Sequence, residues 1–200
     1  MSVDHVRRNL EEAQSCLKNL LASEKTLRAI ADAGALITSI FKEGGRVFSC
    51  GNGGSMCDAM HFAEELSGRY RLDRPGLPAA SMSDPGHLSC VANDYGYEHV
   101  FSRYLQSHGK SGDCLLAIST SGTSKNVIAA VEMAKKMGVK VIGLIGKPDS
   151  TLGKMADIKI SAPGGAFADR VQELHIKIIH ILIELVERQL FPENYKESAS

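Results

Sequence analysis

Two groups of residues in this 200-residue chain have the types and spacing to do chemistry. The first is Ser119-Thr-Ser-Gly-Thr-Ser124, five hydroxyls and a glycine between an apolar run and a helical stretch. The start of a helix leaves backbone N–H groups without partners, and its dipole attracts an anion. Hydroxyls add hydrogen bonds without fixed charge, so a phosphate dianion fits; a plain N-cap would use one hydroxyl rather than five. The second group is built from histidine and carboxylate. His61 and Glu65 are four apart and share one helix face. That pair suits a divalent metal, acid–base work or a surface ion pair. Gln172, His175 and His180 lie in a later helical run rich in Ile and Leu. There His180 is either a satisfied core histidine or an imidazole held beside a substrate. Gln172 and His180 are roughly 12 Å apart along the axis at about 1.5 Å per residue. One ion on both requires the side chains to lean together, with further ligands from the same chain or a neighbouring subunit.

Two turns accompany these groups. Cys50-Gly-Asn-Gly-Gly-Ser55 follows an apolar run and opens a helix, and its glycines allow a ligand close to the backbone. It is not a Walker loop, for no Gly-Lys-Ser/Thr follows, nor a dinucleotide fingerprint, for Met56 stands at the third glycine position. Asn93-Asp94 falls in a loop bounded by Gly96, where it serves either a turn or sugar hydroxyls.

The elements that position these residues follow from periodicity. Apolar stripes predict two helices in the first 43 residues, one through Val6, Leu10, Ala13, Leu17 and Leu20, the other through Leu27, Ile30, Ala33, Ile37 and Phe41. Ser23 is the N-cap between them, and Gly44-Gly45 ends the second. These helices must pack on a sheet or on a neighbouring subunit. Five apolar runs then predict strands: 46–50, 77–82, 113–119, 140–145 and 157–161. Helices are expected over 55–66, 98–106, 124–137 and 169–190. Apolar strands alternating with helices mean a doubly wound α/β fold, a five-stranded parallel sheet covered on both faces. Ligands in such sheets sit at the carboxyl ends of the strands, where each loop above lies. Residues 1–43 read as a helical pair belonging to the domain and its oligomer interface, 44–191 as the α/β domain, and 192–200 as a polar, flexible tail.

Composition narrows the classes. Lys plus Arg and Asp plus Glu are each 23, so the net charge is zero. No basic excess drives nucleic-acid binding, and a neutral chain tends to associate. Five cysteines without a Cys-x-x-Cys, and a start lacking an apolar leader, point to reduced thiols in the cytoplasm. The longest apolar stretch, 176–186, is broken by Lys177, His180 and Glu184 and cannot span a bilayer.

The motifs together carry a resemblance. Ser119–Ser124 looks like the phosphate loop of sugar isomerase (SIS) domains. Cys50-Gly-Asn-Gly-Gly-Ser, Asp58-Ala-Met-His-Phe-Ala-Glu-Glu-Leu66, Val91-Ala-Asn-Asp94 and Ala168-Asp-Arg-Val-Gln-Glu-Leu-His175 resemble the phosphoheptose isomerase family over nearly the whole chain. The resemblance implies aldose–ketose conversion of D-sedoheptulose 7-phosphate to D-glycero-D-manno-heptose 7-phosphate. In that family this step opens ADP-heptose synthesis for the lipopolysaccharide core. It implies a homotetramer with interfacial active sites and one zinc per subunit on His61, Glu65, Gln172 and His180. Substrate contacts carry over to Asn52, Gly53, Gly54, Glu65, Asn93, Asp94, Ser119, Thr120, Ser121, Ser124 and Gln172. Proton transfer through an enediolate assigns Glu65 as base and His180 as acid. Two rivals stand beside it. One is a non-catalytic SIS-domain adaptor of a replication initiator, a relative that lacks the acid–base pair; the other is a SIS isomerase of a five- or six-carbon sugar phosphate.

Overall fold

The computed structural model describes residues 2–196. Two helices, α1 (Val3–Leu21) and α2 (Glu24–Lys42), precede β1 (Val47–Cys50) and α3 (Gly54–Ser67). Then come β2 (Ala79–Ser81), α4 (Pro85–Tyr95), a 3-10 turn over Tyr97–His99 and α5 (Val100–His108). The second half runs β3 (Cys114–Ser119), α6 (Lys125–Met137), β4 (Lys140–Ile145), α7 (Thr151–Met155), β5 (Ile158–Ser161) and α8 (Ala168–Leu190). The five strands form one sheet in the order β2-β1-β3-β4-β5, and every pair is parallel. This is the expected doubly wound α/β fold, with its two leading helices and long last helix.

All six residues of β3 are buried, and alternate side chains point to opposite faces. Cys114, Leu116 and Ile118 join a core with Ile37, Phe62, Ile178, Ile179, Leu182 and Ile183 beneath α2, α3 and α8. Leu115 and Ala117 join a second core with Phe48, Phe101, Leu105, Val127 and Val131 on the other face. A run of hydrophobic residues without polar alternation is what a strand covered on both faces requires. The edge strand β2 is shorter than the expected 77–82: Pro78 has no N–H to donate to the ladder, and pairing starts at Ala79.

The helical pair divides its packing. Ser23 caps α2 by accepting from the Thr26 N–H, as expected. Gly34 lets α2 close onto α8, for a Cβ there would stand 2.9 Å from Leu185 Cβ. In α1 only Cys16 and Leu20 are buried. Val6 and Leu10, expected on the packed stripe, are 61% and 66% exposed, so among the described residues the first half of that stripe is left largely uncovered.

Three expectations need correction. Asn93-Asp94 is not in a loop but in the last turn of α4, a helix missing from the sequence reading. That helix fully buries only Val91, with Leu88 and Ala92 partly buried beside it on the same face. The helix expected over 98–106 is α5, and it begins at Val100 rather than 98, after the 3-10 turn. The tail is not free from residue 192: Pro192–Tyr195 forms a 3-10 turn, and the Tyr195 hydroxyl donates to Glu187 Oε2 at 2.6 Å. Residues 197–200 lie outside the described part. Among the described residues no helix is long and apolar enough to cross a membrane, and all five cysteines are free.

His175, fully buried on α8, couples stability to pH. Burial pushes its imidazole down to about 4 from an ordinary 6.5. The unfolded chain therefore binds the extra proton between those values, and stability falls as pH drops from 6.5 towards 4. From pH 7 to pH 5 this one group removes about 2 kcal/mol. Urea unfolding at both pH values, compared with His175→Leu, isolates it: the variant should lose that much less on acidification. Asp58, whose buried carboxyl is pushed up to about 6, acts with the opposite sign and is common to both proteins.

Candidate active site

From β1 the chain proceeds to β2 on one side of the sheet, and from β3 to β4 and β5 on the other. The strand order thus reverses between β1 and β3, where the loops following two adjacent strands part and leave a crevice. The turn at 51–54 and the hydroxyl loop at 119–124 flank it. Asn52 joins them: its Nδ2 donates to Asn126 Oδ1 and its Oδ1 accepts from Asn126 Nδ2, both at 2.8 Å. Tyr97 Oη adds a third bond to Asn52 Oδ1 at 3.2 Å. Asn52 is therefore a strut between the two loops, and Asn126 and Tyr97 are members of the rim that no local motif announces. Gly53 sits at φ +56°, and Gly54 lies under the Gln172 amide so closely that a Cβ would collide with it.

In the hydroxyl loop, Ser124 takes the N-cap position of α6 yet makes no side-chain capping bond. The hydroxyls face one another instead. Ser119 Oγ lies 3.2 Å from Ser124 Oγ and 3.4 Å from Ser121 Oγ, and it accepts from the Gly122 N–H at 3.0 Å. The Thr123 N–H and hydroxyl both reach Ser121 Oγ. Hydroxyls clustered at the start of a 13-residue helix without capping it are an arrangement that suits an anion. Thr120 and Ser121 open onto a cleft of about 310 Å³ that also meets Lys147, Phe167 and Val171. Ser119→Ala and Ser121→Ala should each weaken binding of a phosphate ester by about 1–3 kcal/mol. Ser119 should give the larger loss, because it also shapes the loop through Gly122. Calorimetric titration with a sugar phosphate measures both, and unchanged affinity in the Ser119 variant would contradict the cradle.

The histidine–carboxylate group assembles from α3 and α8. His61 Nε2 lies 3.1 Å from Glu65 Oε1, as a four-residue spacing allows. His180 Nε2 lies 3.7 Å from Glu65 Oε2 and 3.1 Å from His61 Nε2. Tyr70 stacks on the His180 ring with centroids 5.8 Å apart. His180 is 39% exposed, so it is not a core histidine; His175 fills that role. Glu65 is only 15% exposed, and its Oε2 is buried without a hydrogen-bond partner. An unpaired buried carboxylate oxygen facing two imidazole nitrogens suits a cation. The donor atoms of His61, Glu65 and His180 all lie within 4.8 Å of one another, so these residues form a possible metal-binding group within one chain.

The remaining expected residues divide. Gln172 lines a cleft of about 400 Å³ with His61, Cys57, Asp58 and Asp169, and so shares it with one member of the group, His61. Asp58, buried with Oδ2 unpartnered, is an addition to the expected set; burial raises its carboxyl and the His61 charge opposes the rise. Asn93 and Asp94 are exposed and hydrogen-bonded to each other, and Asp94 stands outside the His61–Glu65–His180 group.

The SIS domain family matches residues 10–146. The phosphoheptose isomerase of Histophilus somni is 55% identical over 190 residues, 95% of this chain and 97% of that protein. That of Klebsiella pneumoniae is 56% identical over 190 residues, 95% and 98% of the two chains. Among solved structures, a phosphoheptose isomerase from Francisella tularensis is 32% identical with a TM-score of 0.88, covering 94% of this chain and 99% of that one. A phosphoheptose isomerase from Neisseria gonorrhoeae is 34% identical with a TM-score of 0.78, covering 92% and 95%.

Proposed function

Because this chain belongs to the phosphoheptose isomerase family of SIS-domain proteins and is a sugar-phosphate isomerase, we propose that it converts D-sedoheptulose 7-phosphate to D-glycero-D-manno-heptose 7-phosphate, with Glu65 as base and His180 as acid. The observation that carries the assignment is the buried, unpartnered Glu65 Oε2 beside His180 Nε2. Glu65 takes the proton from C1 of the ketose while His180 gives one to the C2 carbonyl oxygen, leaving an enediol. His180 then takes the O1 proton, and Glu65 returns a proton to C2, which gives the aldose. Atoms balance without a redox partner. The hydroxyl loop holds the distal phosphate, with Ser119, Thr120, Ser121 and Ser124 as contacts, and turns binding energy into orientation at C1 and C2. Gly53, Gly54, Asn93 and Asp94 are proposed to meet the sugar between them. Asn52 contributes through the rim that it braces.

Zinc is proposed on His61, Glu65, Gln172 and His180, with one ion per subunit. When bound, it supplies polarisation of the substrate's carbonyl and hydroxyl oxygens. The unpartnered Glu65 oxygen and the two convergent imidazoles support the fit. Glu65 then has two oxygens for two tasks, and the balance between them is set by how it is held.

We further propose a homotetramer whose subunits meet over the exposed apolar face of α1, Val3, Val6 and Leu10, and whose active sites lie at interfaces. The reaction is proposed to occur in the cytoplasm and to open ADP-heptose synthesis for the lipopolysaccharide core. The presence of both Glu65 and His180 argues against a non-catalytic adaptor. Initial rates with five-, six- and seven-carbon ketose phosphates test the substrate. The seven-carbon substrate should exceed the others in kcat/KM by more than tenfold, and a five- or six-carbon optimum would overturn the assignment.

A further inference from the structure

The segment between α3 and β2, residues 68–78, lies along α8 and touches it at a repeating interval. Tyr70 stacks on His180, Arg71 pairs with Glu184 at 2.9 Å, and Arg74 Nε donates to Glu187 Oε1 at 2.8 Å. Positions 180, 184 and 187 form one stripe of the helix. Arg71 is exposed and Glu184 partly buried, but the Arg74 and Glu187 side chains are each only 1% exposed. Apart from a long bond from Nη1 to the Pro75 carbonyl at 3.3 Å, the rest of the Arg74 guanidinium is directed at the end of α3. Nη2 donates to the Glu65 carbonyl at 2.6 Å, and Nη1 donates to the Leu66 and Gly68 carbonyls at 2.7 and 3.0 Å. Glu187 Oε2 accepts from Tyr195, so both of its oxygens are also used.

We infer that Arg74, seated on Glu187, is a positioning residue that fixes the end of α3 against α8 and thereby sets the separation of Glu65 from His180. The inference rests on those two side chains being the acid–base pair proposed above. Its physical basis is the pattern of acceptors. The last carbonyls of a helix have no partners within it, and they carry the negative end of its dipole. One buried cation satisfies them at the very residue whose side chain does the chemistry, and its counter-charge sits two turns beyond His180 on the other helix. A buried ion pair is weak support for stability as such, since apolar replacements often do as well. Here the pair joins the two helices that carry the reacting groups, and a stability role alone does not call for that placement.

The test uses the full chain with Arg74→Lys, which keeps the charge but has too few donors in the wrong geometry, and Glu187→Gln, which keeps the volume and one acceptor. Should the lysine variant fail to fold, the glutamine variant carries the same test. Two readouts are taken on protein shown to be folded by circular dichroism. In turnover of the seven-carbon ketose phosphate, kcat should fall about 10²-fold while KM stays within about threefold, since a displacement near 1 Å has that effect and the phosphate cradle is untouched. In titration with cobalt(II), the visible absorption bands should shift, and competition with a chelator should show affinity about 10–100-fold weaker. Folded variants with kcat within threefold of the parent and an unchanged cobalt spectrum overturn the inference. A parent that turns over no sugar phosphate overturns the function proposed above instead, and the cobalt spectra alone then decide the positioning role.

Discussion

Glu65→Gln should lower kcat about 10³-fold or more while a sugar phosphate still binds within about threefold of its parent affinity. Glutamine matches glutamate in volume and keeps an oxygen, so α3 and its packing on α8 survive. What vanishes is a group able to take a proton from carbon, and with it an anionic metal ligand, so turnover is measured at saturating zinc, where mass action offsets the second loss. Glu65 is mostly shielded from water, and its Oε2 has no partner within the chain. Burying a carboxylate oxygen unpaired is unfavourable for folding, and such a group is retained where its reactivity is used. The phosphate ester is held elsewhere, by hydroxyls at the start of α6, and loses nothing. Rapid-quench turnover and equilibrium titration on the same preparation separate the two effects. A variant with kcat within tenfold of the parent would remove Glu65 from the role of base.

His180→Gln should lower kcat by about 10²–10⁴-fold, the range for a positioned acid–base group. It should also weaken metal binding, because an imidazole nitrogen is replaced by a poorer amide ligand. The two losses are separable. With saturating zinc the ligand defect is offset by mass action, whereas the missing proton donor is not. Activity that returns to within threefold of the parent at high zinc would leave His180 as a ligand only. The exposure of His180 matters here, since a core histidine in its place would have had no access to substrate. Its neighbour His175 is that core histidine, and His175→Leu should leave turnover within a few-fold while changing acid stability.

How much of this was legible in the sequence depended on distance along the chain. The parallel sheet was legible because β3 and β4 are apolar without alternation, a pattern that a half-exposed strand does not show. The hydroxyl loop was legible because it holds more hydroxyls than a cap uses, and His61 with Glu65 because four residues make one helix turn. The approach of His180 to that pair was not legible from spacing, and only the family resemblance implied it, since 119 residues separate it from His61 and the packing of α3 on α8 closes the gap. Asn52 with Asn126, 74 apart, and Arg74 with Glu187, 113 apart, were hidden for the same reason. Taken singly, Arg74 is one more charge in a polar segment. Asn93 and Asp94 were misplaced for a different reason. Helix α4 is short, and its one apolar face, Leu88, Val91 and Ala92, spans little more than a turn beside a turn-like Asn-Asp pair, although Asp84 before Pro85 is a start signal: the Asp84 carboxylate accepts from the His87 N–H.

The central claim is that a proton leaves carbon for Glu65 and returns from it. Running the conversion in D2O and reading the recovered sugar phosphates by NMR tests that most directly. Deuterium should appear at C2 of the aldose and, at equilibrium, at C1 of the ketose with the parent protein, with neither signal growing in Glu65→Gln. Deuterium entering carbon in Glu65→Gln at the parent's rate would contradict the account, for it would mean that a group other than this carboxylate takes the proton from C1.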